Sequence, residues 1–468
     1  MELGTLTELA EIIGGAWAGG PKGMPHARAR YSGISIDTRT LKPGDVFFCL
    51  KGEKTDGHAF AEHAARRKAA AIVAARRRPG FAGPMRGVPM LRVENPLDAL
   101  CAWGTWQRRR FTVRFTGVTG SVGKTSTKEM IAAVLAQKYP TFKTPGNFNN
   151  LLGLPLALQG LAERHRVGVA EMGMSSPGEI ARLTDMIDPE IGVVIWIGPG
   201  HLEFFKGISA VARAKRELFD QMRPDGVGVV NLDNPILARW KRDMTRKLVG
   251  YSIRRKADVY ATDVHSLPDG MAFRLNGKTL LELPFLGEHA VSNALAACAV
   301  AQLYGIGIEK ISRGLRKAQA PIGRLVMKKA GRVTILDDSY NSNPISANAA
   351  VETLCALRPP GRKIACLGAM RELGVSARQL HKDVGRAAAV QGVDVLLGVG
   401  YWGRQIVAGA RHTHRPVLTR VAADAQEAAS WLTEFAQSGD VVLVKASHAE
   451  GFERIVAELT NQHPHNGR

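Results

Sequence analysis

The chain has few cysteines, no long apolar run and little acid, and each shortage removes a class of protein. The five cysteines among 468 residues, at 49, 101, 298, 355 and 366, form no CxxC pair and no regular framework. That excludes a disulfide-built scaffold and argues against thiolate metal ligation; reduced, packed thiols in a cytosolic protein are expected. The longest apolar stretch, ALAACAVAQLYGIGI at 294–308, is too short and too interrupted to span a bilayer. The opening residues, MELGTLTELAEIIGGAW, are acidic and helix-like. They lack the basic start and continuous apolar core of a signal peptide, so the expected location is cytoplasmic. There is no clear repeat and no long low-complexity segment, and the tail NQHPHNGR is expected to be disordered. Asp and Glu number 42 against 63 Lys and Arg, a formal charge of +21. Such an excess suits nucleic acid, an anionic membrane or polyanionic small substrates. The basic clusters at 66–68, 76–78, 108–110 and 254–256 are scattered and not interleaved with aromatics. A solvated basic surface is the expectation, without specific nucleic-acid binding.

What is present is a soluble globular composition, 45% hydrophobic and 22% charged, in a chain long enough for about three domains. The informative stretch is TVRFTGVTGSVGKTS at 112–126. A short buried strand runs into a glycine turn, then Lys124, Thr125 and Ser126, then the helix-forming TKEMIAAVLAQ. Strand, glycine turn, Lys-Thr and helix make a phosphate-binding loop. Glycines let successive N–H groups point at phosphate oxygens, and the helix N-terminus adds its positive dipole end. Lys124 can reach the β/γ-phosphates and the Thr125 hydroxyl can hold Mg²⁺. The general pattern G-x-x-x-x-G-K-[ST] would put its first glycine at 118, where Val118 stands; Gly117 comes one residue early.

In chain order, 1–95 read as a small α/β domain. Asp37, Thr38 and Arg39 follow a short strand and can hold a ligand or simply turn the chain. Residues 96–319 alternate strands with helices around the phosphate loop, which predicts a mainly parallel sheet with ligands beyond the strand C-terminal ends. Residues 320–468 repeat the pattern in VTILDDSY, KIACLG, DVLLGVG and DVVLVKAS, a doubly wound Rossmann-like domain. The expected fold is therefore α/β with three domains, the central one a P-loop mononucleotide-binding sheet. Glu171 and His201 each end a strand near the phosphate loop. A carboxylate and an imidazole there can bind Mg²⁺ or Mn²⁺; a helix cap and a backbone-satisfied His are the alternatives. Lys215 in RAKRELF reads as a solvated helical lysine. Asn231 and Asp233 can contact a nucleotide or make a turn. Asp337, Asp338, Tyr340, Asn341 and Asn343 cluster at a strand end, as a site or as an Asx-rich turn before Pro344. Arg324, at the second boundary, can reach across to phosphates or lie exposed.

These motifs in this order – SIDTR, KPGD, DGHAF, GNFNN, EMG, GHLEFF, RAK, GEHAVSNALAA, GR and DDSYNSNP – resemble the Mur ligases, ATP-dependent amide-forming enzymes of peptidoglycan precursor synthesis. The resemblance covers nearly the whole chain, and the family's phosphate loop has the same displaced first glycine. GNFNNLLGLPLAL, DDSYNSNP and LGAMRELG are most similar to the branch that joins D-alanyl-D-alanine to UDP-N-acetylmuramoyl-tripeptide; the DNPR stretch of the diaminopimelate-adding branch is absent. The resemblance implies ATP and Mg²⁺ as cofactors and an acyl phosphate on the peptide carboxylate. It also implies two small-molecule substrates; a monomer without a membrane span is the expectation. It implies that Thr119, Gly120, Ser121, Val122, Gly123, Lys124, Thr125 and Ser126 bind ATP phosphates, with Thr125, Glu171 and His201 on magnesium. Lys215 matches a lysine that some relatives carbamylate, and with Lys124 and His201 makes up the implied catalytic set. His289 and Asn293 match the HNxxN segment on the ATP side; Arg324 and Asp338 match residues reaching ATP from the domain interface. Thr38 and Arg39 match the uridine-nucleotide end, and Asn147, Asn149 and Asn150 the sugar-peptide segment. The chain departs from the family at Trp196 (for Asn in NIG), Ala290 (for Asn in HN), Ala369 (for Asp in GDM), and Ala446 and His448 (KASH for KGSR). Another ligase of the same superfamily, or a basic nucleotide-binding protein without ligase activity, are the alternatives.

Overall fold

A computed structural model describes residues 3–19, 28–52, 55–77, 85–200 and 202–462; the closing NQHPHNGR lies mostly outside them. Three main sheets follow one another along the chain. In the first, five short strands take the spatial order Ala16–Trp17, Met90–Val93, Ala71–Ala75, Asp45–Phe48, Gly33–Ser35. Its parallel strands are covered on both faces, so AIVA reads as an unbroken apolar run and not as an alternation.

The helix Pro96–Arg109 follows. Asn95 caps it by accepting from the Leu97 amide, and Pro96 occupies the first turn, where no N–H is missed. One face of this helix buries Ala99, Leu100 and Trp103 in the first core. The other face meets the central domain: a Cβ on Gly104 would lie 3.0 Å from both Met186 Sδ and Pro155 Cβ. Trp103 Nε1 donates to Tyr31 Oη at 2.9 Å, and Gln159 both accepts from and donates to the backbone of Ile34.

The central sheet has nine strands. Arg114–Thr119 lies between Val167–Glu171 and Pro189–Val194, all parallel, with Glu171 level with Val118 and Val194 level with Thr119. All three strands therefore end on one edge, where Gly120–Lys124 turn into the helix Lys124–Leu135. The sheet continues through 259–283 as an antiparallel meander, an extension the alternating pattern did not announce. Against it packs the helix Glu288–Leu303, buried from Ala290 to Ala301 on every side. That burial accounts for its run of alanines and valines: a helix apolar all round belongs inside a core. No described helix is long and apolar enough to cross a membrane.

The third sheet orders its strands Val326–Ala330, Val333–Asp337, Val441–Lys445, Lys363–Leu367, Val395–Val399, Leu418–Ala422, parallel except for the antiparallel first pair. Its strand C-terminal ends face the central domain. Asn343 Nδ2 donates to Ser121 O of the phosphate loop at 3.3 Å, and the Glu203 amide donates to Glu372 O at 3.1 Å. Ile345 presses on Gly198, where a Cβ would lie 2.4 Å from its Cδ1.

Candidate active site

The glycine turn has the conformation its sequence requires. Gly123 sits at φ +80°, a left-handed backbone, and a Cβ there would lie 2.8 Å from Asn293 Oδ1. Asn293, buried on the long central helix, thus closes one side of the loop. Ser121 is fixed by backbone: its amide donates to Trp196 O, and its hydroxyl donates to Gly198 O and accepts from the Gly198 amide. At the Trp196 departure the contact to the loop is made by a carbonyl, which any residue there supplies. Thr119 is buried with its hydroxyl oxygen unpartnered, and Val122, Thr125 and Ser126 are half-buried around the first helical turn.

Lys124 donates from Nζ to Gly120 O at 2.9 Å. Protein crowds around it and lowers its pKa. Glu171 and Glu372 act in the opposite direction, and Arg324 reinforces the lowering. Solvent still reaches its side chain, so it lines a crevice. Charges from a central strand end, from the domain boundary and from the third domain therefore converge on this one ammonium. Glu171 accepts from Asn149 Nδ2 at Oε1, 2.8 Å away, while its Oε2 is buried without a hydrogen bond. Lys215 is 1% exposed, and no hydrogen bond or ion pair of its amine stands among those of the described residues. Burial, then the neighbouring Lys124 charge, push its pKa well below the lysine range. This corrects the expectation of a solvated helical lysine: the helix Ile208–Gln221 turns that position inward.

On the facing wall Asp338 Oδ2 pairs with Lys445 Nζ at 2.6 Å, and its Oδ1 accepts from the Leu325 amide. Burial lowers the Lys445 pKa, against the Asp338 carboxylate. His289 faces the same pair: crowding lowers its pKa, Asp338 raises it and Lys445 lowers it. Arg324 lays its guanidinium over Tyr340, 4.3 Å from the ring centre, and His448 stacks on the same tyrosine at 5.4 Å. Asp337 turns away to Lys328 and Ser339, so of the two adjacent acids only Asp338 faces the cleft. Asn343 caps the helix Pro344–Ala356 and also touches Ser121, so the Asx turn and the site are the same residue. Ala369 O accepts from the Ser447 amide, again a backbone contact at a departure; Ala290 and Ala446 are buried in their cores.

Other candidates stay apart. Asn150 Oδ1 accepts from the Leu152 and Gly153 amides before the helix Gly153–Leu158, and Asn147 is exposed beside Asn149. Asn231 and Asp233 resolve as a turn, Asp233 accepting from Ser252 and Ile253. Thr38 is buried and Arg39 is gripped by Asp37 within the first domain. His201 lies outside the described residues. Lys128, Asn343's bond to Ser121, Glu372 and Lys445 escaped the sequence reading. Lys128 had a signal, since it stands one helical turn past Lys124.

Three family models match stretches of the chain. The Mur ligase family catalytic domain matches 30–94, the Mur ligase middle domain 118–301 and the Mur ligase glutamate ligase domain 323–448. The UDP-N-acetylmuramoyl-tripeptide–D-alanyl-D-alanine ligase of Bacillus subtilis is 33% identical over 97% of this chain and 98% of its own. MurF from Acinetobacter baumannii superposes with a TM-score of 0.88 at 30% identity, over 98% and 99% of the two chains. MurF from Thermotoga maritima in complex with ADP gives 0.80 at 27% identity, over 92% and 97%.

Proposed function

The chain belongs to the Mur ligase family, and from that premise we infer that it joins D-alanyl-D-alanine to UDP-N-acetylmuramoyl-tripeptide at the expense of ATP, in peptidoglycan precursor synthesis. The observation that carries this reading is the loop's geometry: left-handed Gly123 closed by Asn293, Lys124 Nζ turned back on Gly120 O, and Glu171 at the end of the neighbouring strand. A phosphoryl transfer needs positive charge where the moving group gathers negative charge, together with a carboxylate able to hold a cation.

The chemistry runs in two steps. The peptide carboxylate takes the γ-phosphoryl group of ATP, because a free carboxylate is a poor electrophile; the dipeptide amine then attacks the acyl carbon and phosphate leaves. The loop 119–126 grips the triphosphate through its amides, and Lys124 and Arg324 face the transferring oxygens. Asn293, His289 and Asp338 bound the nucleotide side. Thr38 and Arg39 take the uridine end of the substrate, and Asn147, Asn149 and Asn150 its peptide end. The docked third domain excludes water, which would otherwise hydrolyse the activated carboxyl.

The donor set fits Mg²⁺. Glu171 Oε2 is a buried carboxylate oxygen with no hydrogen bond, the Lys128 ammonium standing 3.9 Å away, and it has a lone pair to offer a hard cation. Glu171, Thr125 and His201 would hold the ion, which would supply charge neutralisation to the phosphoryl group. Lys215, its pKa lowered by burial and by the Lys124 charge, supplies the amine that condensation with carbon dioxide to a carbamate would use.

The domains divide at 1–95, 96–319 and 320–468. The chain acts as a monomer, since phosphate loop, Glu171 and Arg324 come from one copy. It works in the cytoplasm; its five free cysteines, four of them buried, suit a reducing compartment. The test is the purified protein with ATP, Mg²⁺, UDP-N-acetylmuramoyl-tripeptide and D-alanyl-D-alanine, read by mass spectrometry. The expected product carries the pentapeptide, and phosphate release without it would sink the reading.

A further inference from the structure

Lys128 is 0% exposed at its side chain, and a lysine is almost never so placed without a task. It stands on the inner face of the phosphate-loop helix, four residues past Lys124. Its Nζ donates to Thr144 O at 2.8 Å and to Gly146 O at 3.1 Å. It also pairs with Glu129 Oε1 at 3.2 Å and lies 3.9 Å from Glu171 Oε2. Thr144 is itself wholly buried and doubly engaged. Its amide donates to Val169 O and its hydroxyl accepts from the Glu171 amide. Three residues past Gly146 comes Asn149, whose Nδ2 holds Glu171 Oε1 and whose carbonyl accepts from the Gly173 amide.

One ammonium therefore ties three things together: the helix that follows the phosphate loop, the 144–150 segment, and the strand end that presents Glu171. We propose that Lys128 is the positioning residue that locks the asparagine segment 147–150 and the Glu171 carboxylate to the phosphate loop, so that substrate peptide and nucleotide are held in one register. The proposal rests on the reading of 147–150 as the peptide-side segment. Lys128 touches no reacting atom in this scheme. It sets where the Thr144–Gly146 backbone lies, and through it where Asn149 and Glu171 point. A neutral apolar side chain would leave the buried Thr144 carbonyl and the part-buried Gly146 carbonyl without their donor, and Glu129 with Lys143 as its remaining partner, so the segment would detach from the helix.

The experiment compares full-length wild type, Lys128→Met and Lys128→Gln. Three readouts are taken: titration with UDP-N-acetylmuramoyl-tripeptide, titration with ADP in EDTA, and hydrogen exchange of amides 144–150. The Met variant is expected to weaken peptide binding by about tenfold or more and to speed exchange at 144–150, while ADP affinity stays within about threefold. Gln, which keeps an N–H donor, should recover part of the peptide affinity and the protection. The proposal is overturned if a folded Met variant binds peptide like wild type, or if it loses peptide and ADP equally, as a merely structural lysine would. Where Met does not fold, Gln decides: wild-type peptide affinity with accelerated exchange at 144–150 refutes the linkage. Failure of wild type to bind the muramoyl peptide would refute the functional reading instead, a result distinct from either.

Discussion

Asn343 performs two tasks with the two ends of one amide, and substitutions can separate them. Its Oδ1 accepts from the Ser346 amide and caps the helix Pro344–Ala356; its Nδ2 donates across the domain joint to Ser121 O. Asn343→Asp keeps an acceptor for the cap but has no donor for Ser121. It also sets a negative charge beside the loop that grips phosphates. Stability should hardly change, since Asp and Asn cap helices about equally well. For catalysis two terms add. The lost hydrogen bond is worth about 1 kcal/mol. Repulsion between unit charges roughly 5 Å apart at an effective dielectric of ~20 adds about 3 kcal/mol. Together that is a fall in kcat/KM on the order of several hundredfold or more. Asn343→Ala loses cap and donor without adding charge. It should cost about 1 kcal/mol of stability and lower kcat/KM by only about five- to tenfold. Thermal unfolding and steady-state phosphate release measure the two effects. An Asp variant as active as the Ala variant, or one whose melting temperature falls as far, would refute the division of labour.

Lys124→Met should cut turnover by about a thousandfold, the several kcal/mol that an electrostatic clamp on a phosphoryl group supplies, with melting unchanged or raised; phosphate release checks it. Because the Lys215 pKa is depressed in the folded protein, the unfolded chain binds the extra proton. Its contribution to stability therefore rises with pH from the depressed value up to the ordinary 10.5. Urea midpoints at neutral and alkaline pH should thus rise more in wild type than in Lys215→Met, which is also the more stable of the two at neutral pH. Asp338→Asn leaves Lys445 as a buried cation short of its partner and should cost about 3 kcal/mol or more, read by urea unfolding.

The phosphate loop was legible because its parts are contiguous: strand, glycines, Lys-Thr and helix follow in one run of sequence, and the backbone they dictate is local. Glu171 was legible as a strand-end acid, but not the oxygen free of hydrogen bonds that makes it a metal candidate, which depends on Asn149 taking only one side of the carboxylate. The inward turn of Lys215 was hidden because RAKRELF carries charges on both sides of the position. The antiparallel meander at 259–283 was hidden because its first strand is half exposed along its length and gives no clear alternation. Lys128 and the Asn343–Ser121 contact depend on residues 16 and 222 positions away in the chain, a separation that no windowed pattern spans.

The helix Pro96–Arg109 belongs to two cores at once, and Tyr31–Trp103 and Ile34–Gln159 bolt the modules on either side of it. Everything before the phosphate loop and everything around it therefore form one anvil. The third sheet hangs from that anvil by a short strap in which Gly323 and Leu325 both adopt left-handed backbone. The same strap carries Arg324 between those two residues, so whatever bends it also moves the guanidinium that faces Lys124.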